Sequence, residues 1–166
     1  MPIESSGSAL TRPRSLSIVT TEIVELRAQD THPLRKTFLR DNTASDVVEF
    51  DGDDLPSTFH LGVTIDGRIV AISTWLVRSH RDDPDRHGVQ LRGMATSPEY
   101  RGSGTSAALL AAGVERCRVS GAELVWAHAR LTALSFYVRN GFATAGDDYV
   151  DPTTGLEHVD IVRLLN

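Results

Sequence analysis

Between Ser57 and Val77 two apolar runs, STFHLGVTI and RIVAISTWLV, flank Asp66-Gly67. An Asp-Gly pair in that setting supplies the positive φ angles of a type I′ turn, so the stretch predicts an antiparallel hairpin. Upstream, the β-branched run Ser17 to Leu26 predicts a first strand. Asp30 or Thr31 then caps a short helix with Pro33 in its first turn and Leu34 and Phe38 on one face. Downstream, Gln90 to Ala95 reads as a buried strand, Ser97-Pro98 as a turn and Arg101 to Gly104 as a glycine-bearing loop. The loop opens a helix whose Ala107, Leu110, Val114 and Cys117 face the core and which Gly121 ends. Glu123 to Ala129 is a further strand, and Thr132 to Arg139 is a short helix closed by Asn140-Gly141. Gly141 to Ala145 and Glu157 to Leu165 are two last strands joined by DPTTG. Strand, helix, strand, helix on one sheet predicts a mixed α/β organisation around a parallel pair.

Two polar stretches interrupt this pattern. Asp41 to Ser57 carries six carboxylates, no Lys or Arg, and neither helical nor strand periodicity, so it predicts a loop. Two readings of it stand: a solvated surface loop, or a negative lip that attracts an amine. An EF-hand reading fails, since Asp51, Asp53 and Asp54 do not continue to a glutamate at the twelfth position. Ser79 to Gly88 is a polar connection.

Composition narrows the classes. The 166 residues are 40% hydrophobic with a net charge of -5, which suits one globular domain over 17–166 after a flexible tail at 1–16. The acidic balance and the lack of a basic run argue against nucleic acid or an anionic membrane as partner. No apolar run approaches the roughly 18 residues of a membrane span, and MPIESSGSALTRPRS lacks the apolar centre of a signal peptide. The expectation is a cytoplasmic protein. Cys117 is the only cysteine; its helical spacing makes it a core thiol, with no disulfide and no metal site expected.

The strand that delivers Arg101-Gly102-Ser103-Gly104 to a helix N-terminus builds an anion site, because the first N–H groups of a helix lack partners and its dipole adds positive charge there. It is neither a P-loop nor a G-x-G-x-x-G dinucleotide fingerprint. By itself the loop is open to two readings, a phosphate cradle or a mere turn.

Further pieces stand in order around the loop: Met94-Ala95-Thr96 precedes it, within LRGMATSPEYRGSG, and Trp126 to Arg130 and then FYVRNGF follow it. Together they resemble the GNAT superfamily of acyl-CoA-dependent N-acyltransferases, over about 17–166. The resemblance implies a twisted, mostly antiparallel sheet with a splayed parallel pair at the fourth and fifth strands and helices on both faces. It implies acetyl-CoA as cosubstrate, without a metal, and direct transfer of the acetyl group to a small-molecule or peptide amine. The family's pyrophosphate loop is matched by Arg101 and Gly104, with Ser106 where Gly or Ala is usual. The implied cofactor set is Met94, Ala95, Thr96, Arg101, Gly102, Ser103, Gly104, Thr105 and Ser106, with His128 and Tyr137. Tyr137 holds the family position that protonates the departing thiolate, a role suited to a phenol of pKa about 10.

A base must take the amine's proton. Where many members carry a glutamate on the fourth strand, this chain has Gln90, Leu91 and Arg92. His158 and His60 are the catalytic alternatives, since imidazole changes charge near neutral pH; each is equally readable as a structural residue. Glu49, Asp53 and Arg92 are the substrate-binding expectations. FDGDDLPSTFH and DDYVDPTTGLEH narrow the resemblance to an ElaA-like branch, and the final hairpin suggests a homodimer. A silent acyl-CoA sensor with the same fold is the alternative to an enzyme.

Overall fold

The computed structural model describes residues 19–166. The strands are β1 (Thr21–Leu26), β2 (Phe59–Ile65), β3 (Arg68–Val77), β4 (Gly88–Thr96), β5 (Leu124–Arg130), β6 (Ala143–Val150) and β7 (Glu157–Leu164). The α-helices are α1 (Ala28–Leu39), α2 (Thr105–Val119) and α3 (Leu134–Arg139). All seven strands form one sheet in the order β1-β2-β3-β4-β5-β7-β6. Only β4 and β5 run parallel, and every other neighbouring pair is antiparallel.

The expected hairpin is β2–β3, with Asp66 at φ 50° and Gly67 at φ 76°. Asp41 to Ser57 has no helix or strand. The helix after β1 starts earlier than its expected caps. Asp30 acts from inside the first turn, where its carboxylate accepts the Arg27 N–H at 3.0 Å, so Pro33 falls within the helix. The expected tail and the start of the first strand lie outside the described residues. β6 continues past its expected end at Ala145, because a register shift between Ala145 and Tyr149 lets pairing resume at Tyr149 and His158.

Neighbouring residues of a strand point to opposite faces, and β3 shows what covers each. Thr74 meets Arg35 of α1 at 2.7 Å, whereas the indole of Trp75 lies against Gly113 of α2. Helices therefore cover both faces. Trp75 is fully buried, in one cluster with Leu110, Val114, Cys117, Val125, Tyr137 and Ile161. The buried face of α2 differs from expectation at its start: Ala107 is only half-buried and borders a cleft, while Leu109 and Gly113 join the buried positions. Burial pushes the Cys117 thiol up to about 12, as suits a core residue.

A Cβ added at Gly113 would lie 1.9 Å from Cζ2 of Trp75. Gly113→Ala should therefore lower stability by about 1–3 kcal/mol through overpacking, read as a lower urea midpoint. An unchanged midpoint would show that the indole yields without cost.

Candidate active site

The site begins where a ladder stops. β4 and β5 pair through Gly88, Val89 and Gln90 opposite Leu124, Val125 and Trp126, and no further. On its other edge β4 carries a bulge, with Gly93 and Met94 both opposite Ser73, and a bulge bends its strand. Gly93 sits at φ +56°, and a Cβ there would lie 3.0 Å from both Nε of Arg35 and the Phe50 ring. Glycine is what the close approach allows.

Arg35 is the anchor beneath this bend. Fully buried, it donates to both carboxylate oxygens of Asp53, to the Val48 carbonyl at 2.8 Å and to Thr74 Oγ1. Its guanidinium also lies 4.0 Å from the Phe50 ring centroid. Burial would raise the Asp53 carboxyl, but hydrogen bonds from Arg35 and the Phe50 amide outweigh it and hold the group below its usual range. His60 completes the clamp, with Nδ1 2.8 Å from Thr74 Oγ1 and Nε2 3.0 Å from the Asp53 carbonyl. Asp53 and His60, expected to bind substrate and to catalyse, thus lie in a buried clamp and line neither space of the cleft between β4 and β5. Glu49 is exposed and faces a separate hollow beside the start of α1.

The larger space of the cleft, about 640 Å³, lies between Met94, Ala95 and Thr96 of β4, the glycine loop, the first turn of α2 and one side of α3. Gly102 at φ +76° and Gly104 at φ +87° adopt conformations open to glycine, and a Cβ on either would meet nothing within 4 Å. The groove above the loop is open, and the N-terminus of α2 points its unpartnered N–H groups into it. Ser106 Oγ bonds Thr96 Oγ1 at 2.7 Å, and Arg101 Nε donates to the Thr96 carbonyl at 3.1 Å, tying the loop to β4. Ser103 and Thr105, also expected here, bond each other's hydroxyls at 2.8 Å and do not line the space.

A smaller space, about 170 Å³, adjoins it on the side of β5 and β7. Leu39, Met94, Arg130, Ala133 and Tyr137 border both, so Tyr137 stands at the junction. Burial pushes its phenol up to about 12, which keeps it protonated through the neutral range. His158 borders the smaller space. Its Nδ1–H donates to the Leu156 carbonyl at 2.9 Å, which fixes the tautomer and leaves the Nε2 lone pair for a ligand. His128, expected among the cofactor contacts, borders this smaller space instead. Its Nδ1 engages the buried Asp160 carboxylate and lies 2.7 Å from Tyr149 Oη. Asp160 also meets Tyr149 Oη at 2.9 Å and His80 Nε2 at 3.3 Å. Burial would raise its carboxyl, yet the bonds from His128 and Tyr149 hold it low.

Arg92 borders the smaller space as well, donating to the Asp51 carbonyl at 2.6 Å. Arg40, Phe50, Tyr149 and Asp160 went unseen in the sequence reading. Period-2 spacing of His128 with Arg130 and of His158 with Asp160 carries the signal for the last, but only once β5 is known to pair with β7.

The model of the acetyltransferase (GNAT) family matches residues 22–142, and the chain belongs to that family, whose members use acyl-CoA. The uncharacterized N-acetyltransferase YitI of Bacillus subtilis (strain 168) is 26% identical over 144 residues, 87% of this chain and 96% of that protein. Among solved structures, Escherichia coli ElaA superposes with a TM-score of 0.71 at 18% identity, over 87% of this chain and 99% of that one. An acyl-CoA N-acyltransferase from Pseudomonas aeruginosa gives 0.70 at 17% identity, over 87% and 99%. These likenesses support the fold; ElaA is one neighbour among others and singles out no branch.

Ser106→Asp separates binding from stability. A carboxylate in the first turn of α2 favours the helix by about 0.3–1 kcal/mol and can accept from the Thr96 hydroxyl that now meets Ser106 Oγ, but it repels a bound pyrophosphate. The acetyl-CoA Kd should rise by about 10-fold or more, equal to 1.4 kcal/mol, without a fall in melting temperature; calorimetry and a thermal melt read the two. An unchanged Kd would remove the loop from the cofactor site.

Proposed function

We propose that this N-acetyltransferase moves an acetyl group from acetyl-CoA directly to a primary amine within a ternary complex. The observation that carries the reading is the position of Tyr137, at the junction of a long groove ending on a helix N-terminus and a short one reached by a histidine lone pair. In this reading the pyrophosphate lies over Gly102 to Ser106, and the pantetheine amides follow Met94, Ala95 and Thr96 as an added strand would. β4 gives up its pairing with β5 just before that segment, which supports the assignment.

The amine arrives from the smaller space. Nε2 of His158 takes one proton from the ammonium, freeing the nitrogen lone pair. The nitrogen attacks the thioester carbonyl carbon, and the backbone N–H near Ala95 stabilises the oxyanion. The C–N bond forms, the C–S bond breaks, and the thiolate takes the proton of Tyr137 Oη. The surplus proton on nitrogen returns the phenol to its neutral form, directly or through water. Net, one ammonium and one thioester give an amide, a thiol and a proton.

Tyr137→Phe should lower kcat by about 10-fold or more, within the range of general acid catalysis, with little change in acetyl-CoA affinity. Unchanged kcat with chemistry rate-limiting would take Tyr137 out of the mechanism. For the base, His158→Gln should lower kcat/KM by about 10-fold or more, within the range of general base catalysis, with acetyl-CoA affinity retained. Unchanged kcat/KM in the variant would assign the base elsewhere. Acetyl-CoA binding without coenzyme A release over a broad amine panel would favour a silent sensor instead.

A further inference from the structure

The smaller space has a charge opposite to the one expected for a polyamine site. Arg40, Arg92 and Arg130 border it together with His158 and Phe50, and among the described residues no carboxylate borders it. Among the described residues, none of the three arginines has a carboxylate within 4.0 Å, although ion pairs are formed by Arg27, Arg35, Arg68, Arg78, Arg81, Arg86, Arg116 and Arg118. Their hydrogen bonds go to main-chain carbonyls: Arg40 to Val47 at 2.6 Å, Arg92 to Asp51 at 2.6 Å and Arg130 to Leu39 at 2.7 Å. Such bonds orient a guanidinium and leave its charge uncompensated.

Two of the three are stacked on one ring, since Arg40 and Arg92 each lie 5.0 Å from the Phe50 centroid, on which Arg35 also rests. The carboxylates of the acidic loop pair with none of them directly: Asp53 and Asp51 act on Arg92 only from a distance, and Asp53 is already bound to Arg35. The loop turns the Asp51 carbonyl toward Arg92 while the Asp51 carboxylate is almost wholly exposed. Asp151 is the carboxylate that acts on Arg40 and Arg130 from a distance, and it is occupied by the amides of Thr153 and Thr154 at 2.9 and 2.8 Å. Partly buried cations held together without counter-ions are costly unless a ligand supplies the charge.

Coenzyme A does not account for all three. Arg130 borders both spaces, but Arg40 and Arg92 border only the smaller one, beyond Tyr137 and away from the α2 N-terminus. We infer that the acceptor is a small amine that also carries an anion, a carboxylate or phosphate seated between Arg40 and Arg92, with its amino group turned toward Tyr137 and His158. Planar guanidinium groups suit such an oxyanion through paired N–H bonds. A volume of about 170 Å³ is too small for an aminoglycoside and suits a molecule of amino-acid size. The acceptor class rests on the transferase reading above; the anion site itself does not require turnover.

The test is coenzyme A release from acetyl-CoA with α-amino acids, their carboxamides, their decarboxylated amines, O-phosphoethanolamine and spermidine. Calorimetry on the enzyme with coenzyme A bound runs over the same panel. The best acid should exceed its own amide by about 10-fold or more in kcat/KM, the scale of one charged hydrogen-bond pair. O-Phosphoethanolamine against the acids decides between phosphate and carboxylate. Arg92→Gln and Arg40→Gln should each shrink the acid-to-amide ratio by raising KM for the acid, while retained acetyl-CoA affinity verifies the fold. Equal use of acid and amide, or preference for spermidine, overturns the inference. Acids that bind more tightly than amides without any coenzyme A release would uphold the anion site and defeat the transferase reading, and equal or absent binding would overturn the site.

Discussion

The close approach of Arg35 to Gly93 governs this structure. A buried guanidinium needs partners, and here two segments supply them: the loop from Asp41 to Ser57 gives the Asp53 carboxylate, the Val48 carbonyl and the Phe50 ring, and β3 gives the Thr74 hydroxyl. To lie flat under β4 it requires a residue without a Cβ at position 93. The bulge at Gly93 and Met94 turns β4 away from β5. The two parallel strands part there, and the cleft opens between them. Removing one partner of such a buried pair costs about 3–5 kcal/mol, because a charge is left uncompensated, so the clamp is a condition of both the fold and the cleft.

The same clamp changes the meaning of the acidic segment. Read as a string, Asp41 to Ser57 presents six carboxylates and invites a cationic ligand. Folded, it spends Asp53 on Arg35, turns Asp51 outward, and offers the cleft a carbonyl and an aromatic ring. Phe50 then gathers the guanidinium groups of Arg35, Arg40 and Arg92 around itself. A segment acidic by composition thereby builds the wall of a cationic pocket.

The two groups to which the proposed mechanism gives the proton transfers are held by different means. Tyr137 is set by burial, packed against Phe136 and Phe142, and burial is what raises its phenol. His158 is set by a hydrogen bond, since the Leu156 carbonyl chooses its tautomer. Asp160 joins His80, His128 and Tyr149, fixing the wall of β5 and β7 beside that imidazole.

Local signals sufficed for much of this. Asp66-Gly67 dictates its turn whatever surrounds it, because the positive φ angles are a property of the dipeptide. The helix after Gly104 and the strand before it follow from apolar spacing and glycine, and with FYVRNGF they point to the family that the match over residues 22–142 shows. Register and pairing across long separations were another matter. That β7 inserts between β5 and β6, bringing His158 beside Arg130 and Asp160 beside His128, is encoded in no local pattern. Nor could the string tell whether Asp53 and His60 face a ligand or a buried arginine, since a carboxylate and an imidazole serve either purpose. Charge neutralisation is a property of distances, and only the tertiary structure sets which carboxylates are already spoken for and which arginines are still waiting for an anion.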